Sequence, residues 1–169
     1  PTAYKINIVQ CRPLETRAVA SIAEPPVDIS TDDLVLRSSG AVIGRSQVLK
    51  LDWLIFVVPE VYSTLPDRDR YAVARLIDDI THHERVCSGT IMLIGPGRWG
   101  TTTPSLGVPV SFMDISPASV LCEIVAMHAN LIPDVSLGTH FFNDLVENDM
   151  LYLAMFPGKE GHVLNREFL

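Results

Sequence analysis

The residues best suited to chemistry stand together in Gly95-Pro96-Gly97-Arg98-Trp99-Gly100, followed by Thr101-Thr102-Thr103-Pro104. Glycines let backbone amides come close to a bound group, and an arginine beside them can pair with an anion. The stretch follows the apolar run Ile91-Met92-Leu93-Ile94, which reads as a buried strand, and α/β folds place their sites at such strand ends. The expectation is a phosphate or carboxylate held by Gly95, Gly97, Arg98, Gly100 and Thr101. No Gly-Lys-Ser/Thr follows, so the spacing is not a P-loop, and it is not a dinucleotide fingerprint. The competing reading is a tight connection in which Trp99 packs on the core and Arg98 points into water.

Three further polar groups call for an account. Glu123 lies in the apolar run Ser119 to Ala126, so it either pairs with a cation, for which Arg98 is the natural candidate, or faces outward at a strand edge. Thr139 is placed to cap a short helix, leaving His140 in its first turn. His82-His83 reads as helix C-terminal cap chemistry, because adjacent helical positions point about 100° apart and serve a shared metal poorly. Cys11, Cys87 and Cys122 are far apart and show no ligand spacing, so they are expected to be reduced thiols of a cytoplasmic protein, and no metal site is predicted.

These groups need a scaffold, and the composition supplies one. The chain has 169 residues, of which 47% are apolar and 20% charged, which suits one compact core. A formal charge of -7 argues against nucleic acid or an anionic membrane as partner. No apolar run approaches a bilayer span. Pro1 stands in place of an initiator Met and strand-like sequence begins at once, so the chain reads as a piece of a longer protein.

Tyr4 to Arg12 alternates as a strand, and Glu15 to Asp33, with Pro25-Pro26, reads as a connection. Leu34 to Arg37 is a short strand. Ala41 to Val58 ends in the apolar run Trp53 to Val58, which suits a strand covered on both faces. Pro66 to His83 is the clearest helix, with Pro66 at its first position and Val73, Leu76, Ile77 and Ile80 on its buried face. Strands follow at Thr90 to Ile94, Val108 to Phe112 (an edge, because of Pro109), Ser119 to Ala126 and Leu151 to Phe156, with helix over Asn143 to Asn148. Gly161 to Leu169 is a weaker strand or tail. The predicted class is α/β or α+β: a mixed, largely buried sheet with a few packing helices in a single compact domain.

Two pieces resemble known proteins. Ile8-Val9-Gln10-Cys11-Arg12-Pro13 resembles the last strand of the ATP-grasp nucleotide-binding domain of phosphoenolpyruvate synthases and pyruvate phosphate dikinases, where an apolar strand precedes Gln-x-Arg-Pro. The resemblance implies nucleotide phosphate and metal contacts for Gln10 and Arg12, which alternation points the same way. The stretch from Gly95 through Gly138-Thr139-His140-Phe141-Phe142 is similar to the region after the ATP-grasp domain in phosphoenolpyruvate synthase-like proteins. Together they imply residues 1–14 as a terminal ATP-grasp strand, 15–33 as a connection and 34–169 as a C-terminal domain.

The resemblance implies an ATP-dependent, kinase- or dikinase-like phosphotransferase as the parent, with ATP and Mg bound there rather than in this domain. Full enzymes of that family pass a phosphoryl group through a carrier histidine, and Gly138-Thr139-His140 is reminiscent of the carrier motif, which makes His140 the catalytic candidate. A helix N-terminus favours the added negative charge. The family's double glycine and the Ser before His are missing, and Phe141-Phe142 replaces small residues. Two functions stay open: an accessory domain that handles a small phosphorylated or carboxylate ligand, and a non-catalytic module that packs on the upstream ATP-grasp domain, regulates it or forms a homodimer.

Overall fold

The computed structural model describes residues 29–40, 42–44, 47–126 and 135–169. The expected first strand with Gln10 and Arg12, and residues 15–28 of the 15–33 connection, lie outside them.

Strands β1 (Leu36–Arg37), β2 (Val42–Ile43), β3 (Trp53–Phe56), β4 (Ile91–Pro96), β5 (Val120–Ile124), β6 (Leu151–Met155) and β7 (Val163–Leu164) alternate with helices α1 (Pro59–Thr64), α2 (Asp67–Thr81), α3 (Phe112–Ile115) and α4 (His140–Glu147). The main sheet runs β2-β6-β5-β4-β3. Strands β3 to β6 are parallel neighbours in chain order, and β2 closes one edge antiparallel to β6. Parallel strands need crossovers, and each crossover here carries helix, as expected of an α/β fold. Strands β1 and β7 form a separate two-stranded ribbon.

All four helices share one core cluster with Ile91, Leu93, Leu121, Tyr152 and Ala154, so they pack on a single face of the sheet. The opposite face carries Met92, Ile94, Val120, Cys122, Ile124 and Met155, against which the ribbon residues Leu36 and Leu164 and the terminal Leu169 pack. Alternation along β4, β5 and β6 sorts these two sets. Both sets are apolar, which is why these strands read as continuous hydrophobic runs. Among the described residues no helix is long and apolar enough to cross a membrane.

Several elements differ from expectation. Trp53 and Leu54 are exposed, because β3 is the edge of the sheet rather than a strand covered on both faces. A six-residue helix, α1, follows it with Pro59 at its first turn. Pro66 precedes α2 as its N-cap rather than opening it. Ala74, Ile77 and Thr81 form the buried face of α2, while Leu76 points outward. Val108 to Phe112 is not a strand: Ser111 and Asp114 make a capping box that turns Phe112 into the start of α3. The helix expected over Asn143 to Asn148 begins earlier, at His140, under the Thr139 cap. His82 behaves as a cap, its backbone N–H donating to the Asp78 carbonyl and its Nδ1 2.9 Å from the Asp78 carboxylate.

Candidate functional site

The C-terminal end of β4 turns sharply because its backbone must cross the 106–108 segment at close range. Gly97 (φ +65°) bridges Gly107, Arg98 N–H donates to the Leu106 carbonyl, and Gly100 (φ +71°) donates to the Val108 carbonyl. A Cβ on Gly97 would run into the Leu106 carbonyl oxygen, so only glycine allows the crossing. Tyr62, from α1, donates its buried hydroxyl to the Gly107 carbonyl at 2.8 Å and ties the crossing to the helix layer. Gly95 seats the Trp99 indole, whose ring carbon would be 2.7 Å from an added Cβ. Gly100 faces the Phe141 ring of α4 in the same way.

The centre of this region is Glu123. Its side chain is fully buried on the helix side of β5. Trp99 N–H donates to Oε1 at 2.8 Å, Ser136 N–H to Oε2 at 2.9 Å, and the Tyr152 hydroxyl to Oε2 at 2.6 Å. Ser136 Oγ lies in short contact with Oε1 and is also 2.9 Å from the Trp99 carbonyl. Arg98 is not the partner, which corrects the expected ion pair; nor does Glu123 face outward. The physical reason is geometric: the turn spends its backbone on the acid and leaves the Arg98 side chain half-buried, outside any ion pair among the described residues.

Burial raises the Glu123 carboxyl above the ordinary carboxylate range, against the opposing pull of Ser136, Tyr152 and Trp99. The hydrogen count agrees. Ser136 has one hydroxyl hydrogen and two acceptor neighbours, Oε1 and the Trp99 carbonyl. A protonated Oε1 donates to Ser136 Oγ, and Ser136 then donates to Trp99, so both oxygens are served. Burial also pushes Tyr152 well up, with the neighbouring Glu123 adding to it, and pushes the Cys122 thiol up to about 12. Burial thus disfavours the charged form of each of these three groups.

The anion-site residues can now be placed. Amide N–H groups of Gly97, Arg98, Trp99 and Gly100 donate to the Ile124 carbonyl, the Leu106 carbonyl, Glu123 and the Val108 carbonyl respectively. No amide in that run is left for a ligand. Thr101 is buried, and its hydroxyl bonds back to Thr103. What remains of the expected anion-site groups is the Arg98 guanidinium and the Thr101 amide, which donates to no acceptor among the described residues. His140 is exposed at the first position of α4, whose Thr139 cap accepts from Phe142 N–H at 3.1 Å and donates to the Ser136 carbonyl at 2.7 Å. Loop and helix meet where Gly100 abuts Phe141, yet no hydrogen bond joins Arg98 to His140 among the described residues.

Sequence reasoning missed Ser136 and Tyr152. A tyrosine in the apolar run Leu151 to Phe156 needs a hydroxyl partner, and an acid in the adjoining run needs a donor; pairing these needs was the available signal. Trp99 Nε1 is the one buried side-chain polar atom without a partner among the described residues. No cluster of three or more His, Cys, Asp or Glu suited to a metal occurs among them. Comparison with protein-family models, curated proteins and solved structures gives no match.

Proposed function

We propose that this chain is an accessory domain of a phosphoenolpyruvate synthase-like, ATP-dependent phosphotransferase, and that it packs and positions rather than carrying the phosphoryl group. The parent rests on the resemblance of residues 8–13 and 95–142; the packing role rests on the single observation that the amides of Gly97 to Gly100 are all bonded to protein acceptors around a sealed Glu123. A loop built for phosphate would keep those donors free. Here the glycines serve the Leu106–Gly107 crossing and the seats of Trp99 and Phe141. On this reading Mg-ATP belongs to the upstream ATP-grasp domain, with Gln10 and Arg12 as its contacts.

A second reading keeps a ligand role and has its own observation. Arg98 has no ion-pair partner among the described residues, and His140 is exposed at a capped helix start. Those two side chains would then handle a phosphate or carboxylate without help from the amides of Gly97 to Gly100.

The test is to incubate the full-length parent with Mg-ATP and map acid-labile phosphate by mass spectrometry, with His140→Ala as control. The expected result is no label on His140 and unchanged nucleotide binding in the variant. Label on His140 that disappears in His140→Ala overturns the packing role in favour of transfer.

A further inference from the structure

We draw no further inference here: the strongest candidate, the open β3 edge with the apolar groove of about 670 Å³ beside it on the ribbon face of the sheet, carries nothing because nothing among the described residues shows what covers it.

Discussion

The two faces of the main sheet are both lined mainly by apolar side chains and differ in what they ask of polar groups. On the helix face, an acid sits at the centre of the core and four polar groups from three chain segments converge on it. On the ribbon face, the buried cluster consists of apolar side chains and the Cys122 thiol, and a two-residue ribbon covers part of it while a groove stays open. The first arrangement is specific and brittle, because each partner is needed by the others. The second is tolerant, because apolar contact is non-directional. Among the described residues, the chain thus fixes its loops on one side and covers the other only in part.

The sharpest way to break that contrast is Glu123→Ala. It leaves Trp99 N–H, Ser136 N–H and the Tyr152 hydroxyl buried without an acceptor, each costing about 1–3 kcal/mol. We expect a loss on the order of 4 kcal/mol and a thermal midpoint lower by about 10 °C, read by calorimetry. Leu153→Ala on the other face removes half-buried apolar contact beside the groove and should cost about 1–2 kcal/mol. Equal losses would mean that the acid is no more central than an ordinary core side chain.

How far these features were legible in the sequence follows the same division. Strands β4, β5 and β6, the body of α2 and the Thr139 cap were readable, because period, length and capping chemistry are local signals. The edge position of β3 was not, since a run such as Trp53 to Val58 looks the same at the centre of a parallel sheet as at an exposed apolar edge. The α3 start was available in Ser111 and Asp114 but was masked by the alternation of Val108 and Val110, which are buried for a different reason, the crossing with the Arg98 loop. Glu123 was marked as needing a partner. Two of its donors are backbone N–H groups, and Ser136 and Tyr152 are 13 and 29 positions away, so only the fold brings them in. The glycines around Arg98 were read as room for a ligand, whereas the structure spends them on Leu106, Trp99 and Phe141.

A smaller effect sharpens the contrast by its sign. The Glu123 carboxyl is raised from the ordinary 4.5 by burial, so the folded chain holds a proton that the unfolded chain gives up. Stability is therefore full below the unfolded value and falls as pH rises from about 4.5 toward the folded pKa, by up to about 1.4 kcal/mol per pH unit for one proton. Glu123→Gln keeps the shape and cannot ionise; an amide nitrogen in the place of Oε1 donates to Ser136 Oγ but no longer accepts from Trp99 N–H, so the variant starts less stable. Its unfolding midpoint should lack that decline, so the native chain and the Glu123→Gln variant, measured by urea denaturation across about pH 4 to 8, differ in slope, the native curve falling with pH and the variant's staying flat. A native curve that rises with pH over this window would place an ionised carboxylate in the network and reverse the hydrogen assignment at Ser136.

The smallest expected effect belongs to the ribbon face. Ser38, just after β1, donates its hydroxyl to the Ala154 carbonyl of β6 at 2.6 Å and lies 3.4 Å from His162 Nδ1, which accepts from Phe156 N–H. These contacts join the ribbon to the main sheet at partly exposed positions, where water replaces a lost bond and the net cost is about 1 kcal/mol or less. A ribbon paired over two residues per strand can open without the sheet. Ser38→Ala should therefore leave the global midpoint almost unchanged. It should speed hydrogen exchange of the Asn165 amide, which bonds the Val35 carbonyl across the ribbon, by about fivefold, while the Leu121 and Glu123 amides stay at the global rate. If β5 amides accelerate as well, the two faces unfold as one unit and the ribbon is part of the cooperative core. If only Asn165 does, the open face is energetically separate from the Glu123 clasp, as its apolar and loosely covered packing implies.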